Sequence, residues 1–225
     1  TFADLAKRNG PFVVASATDI STGSRFVFNQ RVFDTMCSDL GSVPLSRAAA
    51  ASSAVPVVLS PVTLNNYGGS CNWHPPVWMK PFLDDGNVKR PAARATRSIR
   101  AENSLANSTK KPYLHLVDGG VSDNVGMRGV LDSLELMEAL YDSGTSTSLD
   151  RVKRVIVFIV NSLSDPKTDW DERERPPDSL TVLLKAAGTP IDHYSYEAVE
   201  LLKDTSARWS ALRKIRDSAA MKANK

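Results

Sequence analysis

The chain has 225 residues, enough for one large domain or two small ones and for a substantial buried core. Its 42% apolar and 24% charged content is that of a globular protein and argues against disorder, collagen-like repeats or a coiled coil. No apolar run approaches the roughly 18 residues of a membrane-spanning helix, and a net charge of +3 is too mild to point to nucleic acid.

In chain order, residues 11–17 read as a short strand, residues 18–23 as a turn and residues 25–28 as a returning strand, a hairpin. Ser42 is placed to N-cap a helix over 45–54, with Pro44 in its first turn, where a missing N–H costs nothing. That helix is mostly Ala and Ser, which lets neighbouring backbones approach closely. Pro56 stops it, and residues 57–62 continue extended. Residues 113–117 form a strand, Asp118-Gly119-Gly120 turns it, and residues 125–141 form an amphipathic helix with Val130, Leu131, Leu134, Met137 and Leu140 inward. After a Ser/Thr/Gly linker over 143–148, residues 152–160 read as the strongest strand, its second part unbroken apolar like a strand covered on both faces. A charged, Pro-rich loop over 165–178 leads to two helices, about 179–187 and 191–217. Strands separated by helices indicate an α/β sheet packed between helical layers.

The stretch 65–112 stands apart. Tyr67, Trp73, Trp78 and Phe82 lie in its Gly/Pro-rich first half, and its second half is basic. It carries eight Lys/Arg (80, 89, 90, 94, 97, 100, 110, 111) against three acids (84, 85, 102), a local charge of +5 where the whole chain has +3. On a helix Arg94, Arg97 and Arg100 share a face. One reading is a solvated excursion. The other is a lid or a membrane contact, with Trp73 and Trp78 at the headgroup boundary and the arginines drawn to anionic lipid.

Two cysteines, Cys37 and Cys71, are too few for a disulfide scaffold or a cysteine-only zinc site, and their pairing is open. Three histidines, His74, His115 and His193, lack metal-ligand spacing, so neither a metal nor another cofactor is expected. The chemistry concentrates in Val117-Asp118-Gly119-Gly120-Val121-Ser122-Asp123-Asn124. There a carboxylate stands at the carboxyl end of a strand, where ligands and reacting groups gather in α/β sheets. The two glycines permit φ > 0 and let another group come close to Asp118. A partly desolvated aspartate can act as a general base, and Asn124 is placed to brace its turn. His115 alternates onto the face of Tyr113 and Val117 and reads as a sheet histidine. Asp19, before Ser-Thr-Gly, reads as the holder of its own turn. Ser52 and Ser53 lie inside an Ala-rich helix and read as packing.

Three segments taken in order, Ala17-Thr18-Asp19-Ile20-Ser21-Thr22-Gly23, Val43 to Pro56 and Val117 to Asn124, resemble the patatin-like phospholipases. The resemblance covers most of residues 10–130, interrupted by the 65–112 stretch. It implies a three-layer α/β/α fold and a Ser–Asp dyad that cleaves lipid acyl esters without a metal, with Asp118 as the dyad aspartate. On that likeness residues 1–142 are the C-terminal part of the domain with an inserted loop, and 143–225 are its final strand and helical tail. The family's G-x-S-x-G nucleophile elbow and the Gly-rich oxyanion loop before it do not occur here. The expectation is a domain incomplete at its N-terminus whose serine lies outside the chain, so that the parent is a serine-dependent ester hydrolase and this chain alone is inactive. The alternative is a non-catalytic lipid- or partner-binding module that has lost its nucleophile. The expected partners are a lipid or acyl-ester substrate and a membrane surface, with membrane-associated and secreted or periplasmic locations both open.

Overall fold

The computed structural model describes residues 1–7, 10–86, 93–142, 154–160, 170–172 and 174–223. It is a mixed α/β protein dividing into two compact units, residues 1–122 with 132–155, and residues 123–131 with 156–225.

The first unit is built on a four-stranded antiparallel sheet in the order β2-β1-β4-β3. The hairpin of β1 (Ala15–Asp19) and β2 (Ser24–Phe28) is the one read from the sequence. Its first strand starts later than expected, because Phe12, Val13 and Val14 stay exposed and outside the ladder. Apolar character had suggested a strand there, but a strand also requires partners for its backbone groups. β4 (Tyr113–Val117) runs antiparallel to β3 (Val62–Asn65) with His115 opposite Thr63. Leu114 and Leu116 point into the core while Tyr113, His115, Thr63 and Asn65 are exposed, the alternation of a half-buried sheet.

Helices α1 (Phe2–Ala6), α2 (Gln30–Thr35) and α3 (Leu45–Ser52) complete the core. Phe2, Phe26, Phe28 and Phe33 cluster there, with Phe26 and Phe28 edge-to-face at 5.1 Å. Helix α3 crosses β1, β4 and β3 on Ala48 and Ala51, both fully buried; side chains this small bring helix and sheet backbones together. Ser42 does not cap this helix. It ends a 3-10 turn (Leu40–Ser42), its hydroxyl donating to the Asp39 carbonyl, and the N-cap is Pro44.

Residues 66–86 and 93–112 form an excursion that is largely helical. A 3-10 turn (Val77–Met79), α4 (Lys80–Leu83) and α5 (Ala93–Asn103) enclose a small core of Met79, Phe82, Ala95 and Ile99. Its two roots are clasped by Asn66, a buried residue. The amide nitrogen of Asn66 donates to the Leu105 carbonyl (3.0 Å) and the Lys111 carbonyl (2.8 Å), and its oxygen accepts from Gly68 N–H (3.0 Å). A disulfide joins Cys37 to Cys71, 34 residues apart. Closing a loop of that length restricts the unfolded chain, so replacing both cysteines with serine should lower stability by about 2–4 kcal/mol. The measurement is a urea unfolding curve, expected to show an earlier midpoint; an unchanged midpoint would deny the bond a stabilising role.

The excursion is also held to α2 by an ion pair. Arg31 lies 2.8 Å from the buried carboxylate of Glu102 and stacks 5.3 Å over the Trp78 ring. One Glu102 oxygen, Oε1, has no hydrogen-bond partner. Burial pushes the carboxyl above its ordinary 4.5, and Arg31 only partly opposes this. The folded chain therefore binds this proton more tightly than the unfolded chain does. Stability is greatest below the ordinary glutamate value and declines as pH rises through the raised one. Glu102→Gln should remove that component and flatten the stability–pH curve above the ordinary glutamate value, as read by thermal melts at stepped pH. A mutant curve parallel to the parent's would show that Glu102 does not titrate in this way.

Helix α7 (Met127–Asp142) follows a short α6 (Gly120–Asp123), and its expected inward Leu131 is buried. Within the first unit Asp132 and Glu135, one turn apart on α7, face Arg25 (3.8 Å) and Arg94 (3.5 Å). The start of α7 belongs to the second unit. There buried Asp123 accepts from the N–H groups of Arg128 (3.0 Å) and Gly129 (2.9 Å), satisfying two orphan donors of the first turn.

The second unit is dominated by α8 (Ser179–Ala223). Asp178 caps it, accepting from the N–H groups of Leu180 and Thr181 and from the Thr181 hydroxyl. The hydrogen bonds from Thr181 hold the Asp178 carboxyl below its ordinary range. The two helices expected here are one, continuing through Gly188 and Pro190. A proline costs a helix one bond and a local clash, and later turns are anchored by the buried Ser195, Ala198 and Thr205. The strand expected at 152–160 is not formed over 154–160, and Val152 lies outside the described residues. Phe158 is 87% exposed and Val160 93%. A continuous apolar run becomes a strand only beside an edge that satisfies its backbone, and no strand pairs with it among the described residues.

Candidate active site

Asp118 follows the last residue of β4, an interior strand of the sheet. Its main chain is fixed by two other segments. Its N–H donates to the Ala54 carbonyl just after α3 (2.9 Å), and Gly119 N–H donates to the Ser52 carbonyl (3.1 Å). Its carbonyl accepts from the hydroxyl of Thr18 on β1 (2.8 Å), which also sits 2.8 Å from the Ser122 hydroxyl. Thr18 is fully buried, so this bond clamps the end of β1 to the turn where Thr18 stands opposite Val117.

The carboxylate itself is half-buried. Oδ1 accepts from Gly120 N–H at 2.7 Å, which fixes the rotamer, and Oδ2 has no hydrogen-bond partner among the described residues. Neither glycine of the turn has a positive φ, contrary to one reason given for them above. Gly119 is needed for close approach, since a Cβ there would lie 2.7 Å from the Ser16 carbonyl oxygen.

Asp19 holds its own turn as expected, accepting from Ser21 N–H (3.0 Å) and the Thr22 hydroxyl (2.8 Å), with Lys111 3.8 Å away. His115 is a surface sheet histidine, its Nδ1 3.0 Å from the Thr63 hydroxyl. Ser52 serves the turn through its carbonyl, while the Ser53 hydroxyl bonds back to Ala49. Asn124 does not brace Asp118; its amide donates to the Ser195 hydroxyl (3.3 Å). The residues that do brace it, Thr18 and Ala54, lie in the segments carrying the family resemblance, but nothing in their spacing reveals the bonds.

Four of the five expected membrane contacts have partners within the protein. Trp73 and Trp78 pack against the small core of the excursion. Arg94 faces Glu135, and Arg100 donates to the Phe82 carbonyl (3.0 Å) and pairs with Asp85. Arg97 is exposed on α5. Among the described residues no cluster of three His, Cys, Asp or Glu could hold a metal, and no helix is long and apolar enough to cross a membrane. No family model matches the chain, and no curated protein or solved structure matches it either.

Proposed function

We propose that this chain is the aspartate-bearing part of a patatin-like lipid acyl hydrolase of three-layer α/β/α architecture. The observation that supports the reading is convergence. The three segments that resemble the family meet at Asp118, through Thr18 on one side and Ser52 with Ala54 on the other, and Oδ2 stays available. In this reading a serine outside residues 1–225 attacks the ester carbonyl of a lipid while Asp118 Oδ2 takes the hydroxyl proton. The proton passes to the departing alkoxide, leaving an acyl-serine. Water then attacks the acyl-serine, Asp118 again accepting a proton, and the fatty acid leaves as serine regains its hydrogen. The Cys37–Cys71 bond suits a secreted or periplasmic setting, where disulfides persist.

A second reading, a lipid- or partner-binding module without catalysis, draws on the absence of G-x-S-x-G from the 225 residues. Turnover of a p-nitrophenyl ester separates the two. The hydrolase reading expects hydrolysis by the parent protein and none above a buffer blank by the 225-residue chain, because nucleophile and oxyanion donors are both lacking. Turnover by the chain alone overturns the shared-site mechanism, and an inactive parent favours the module.

A further inference from the structure

Thr18 is fully buried on β1, where valine would have nearly the same shape with no hydroxyl to desolvate. A buried hydroxyl costs free energy unless it is hydrogen-bonded, and this one has two partners. Its single proton goes to the Asp118 carbonyl at 2.8 Å, because a carbonyl can only accept. The Ser122 hydroxyl lies 2.8 Å from the Thr18 oxygen, so the proton between the two hydroxyls comes from Ser122. A hydroxyl on α6 and one on β1 thus form a chain of donors that ends on the main chain of Asp118. The same carbonyl accepts at longer range from Val121 N–H within the turn (3.3 Å); Thr18 is the donor that ties it to the sheet.

The peptide held in this way is the one that steers the carboxylate. Glycine accepts a wide range of backbone angles, so Gly119 does not by itself fix the plane of the Asp118–Gly119 peptide. A side chain cannot stiffen it, since a Cβ there would meet the Ser16 carbonyl oxygen at 2.7 Å. The plane is instead held at both ends, by Thr18 on its carbonyl and by the Ser52 carbonyl on its N–H (3.1 Å). Turning it changes ψ of Asp118 and φ of Gly119, two of the angles that place Gly120 N–H against Oδ1. We infer that Thr18 is a positioning residue for proton transfer at Asp118, its hydroxyl, backed by that of Ser122, setting the peptide plane that presents Oδ2 to the serine. The inference rests on the hydrolase reading and adds to it a determinant of rate on a strand that carries no reacting group.

The test uses the intact parent protein and a p-nitrophenyl ester. Misplacing a reacting group by about 1 Å can cost roughly a hundredfold in rate. Thr18→Val should therefore lower kcat by about ten- to a hundredfold with KM near the parent's, and Thr18→Ser, which keeps the hydroxyl, should restore most of the rate. Ser122→Ala leaves Thr18 its bond to the carbonyl and should lower kcat by only a few-fold. The deciding measurement is a double-mutant cycle. Added to Asp118→Asn, Thr18→Val should lower the residual rate no further, because its effect runs through the base already lost; a merely structural threonine would lower both backgrounds alike. Equal losses in the two backgrounds, or a Thr18→Val kcat within about twofold of the parent's, overturn the inference and leave the hydrolase reading standing. Should Thr18→Val fail to fold, Ser122→Ala carries the test through the same cycle, and an unchanged kcat or equal losses overturn the inference. A parent protein without esterase activity, or one fully active as Asp118→Asn, rejects the hydrolase reading and the inference with it.

Discussion

If the proposed hydrolase function holds, Asp118→Asn in the intact parent protein should lower kcat on a lipid ester by about 10²–10⁴, the size of a general-base contribution. The amide matches the carboxylate in shape, and its oxygen can still accept from Gly120 N–H, the one hydrogen bond the carboxylate makes within its turn. The main-chain clamps from Thr18, Ala54 and Ser52 are untouched, so the thermal midpoint should move little. What is lost is the ability to take a proton at Oδ2, and KM should stay nearly constant while kcat falls. Activity within a few-fold of the parent would make Asp118 a structural residue that shapes a strand-to-helix turn. A large fall in stability would leave the role unproved by this variant, and Asp118→Glu, which keeps the charge but moves it by one methylene, would then be compared at matched folded fraction.

Within the Asp118 turn, Gly119→Ala has the largest expected effect on folding. The added Cβ would meet the Ser16 carbonyl oxygen at 2.7 Å, and both atoms belong to backbone held by sheet or turn hydrogen bonds. Neither can swing aside as a flexible side chain does. Overpacking of this kind costs about 1–3 kcal/mol, or roughly 2–12 °C of thermal midpoint in a protein of this size. Because the same displacement moves Asp118, kcat of the parent should fall with it. The same substitution in α8, Gly188→Ala, meets nothing within 4 Å and should stabilise by about 0.5–1 kcal/mol, the helix-propensity difference. Differential scanning of the two variants side by side separates the effect of contact from that of composition. Equal midpoints would mean that Gly119 is not packed against β1.

The elements legible from sequence were those defined by local pattern. Alternating Leu114 and Leu116 placed β4, and the Asp19 turn placed the hairpin. Helical spacing placed α7, and the change from charged loop to apolar residues after Asp178 placed the start of α8. What escaped depends on partners far along the chain. The run at 155–160 is as apolar as any core strand, but apolarity does not supply an edge to pair with. Cys37 and Cys71 meet because Met36 and Tyr67 are joined by a backbone bond, which no spacing rule contains. Asn66, an ordinary loop residue by composition, clasps the roots of the excursion because its amide offers donor and acceptor together.

The candidate site divides in the same way. Asp118 was legible because a carboxylate before paired glycines at a strand end is a local signal, and Asp19 and His115 take the roles their positions suggested. Asn124 was misplaced because a residue just past a short turn is directed by whatever packs against it, and that is Ser195, 71 positions on. Thr18 was missed as a clamp because its importance comes from lying opposite Val117, a register set by the sheet.

The central claim, a dyad divided between Asp118 and a serine elsewhere in the parent, is tested most directly by fluorophosphonate labelling followed by mapping of the modified residue. The account expects one labelled serine, located outside residues 1–225, with labelling strongly slowed in Asp118→Asn. Label on a serine within these residues, such as Ser52 or Ser122, or a labelling rate indifferent to Asp118, would contradict it.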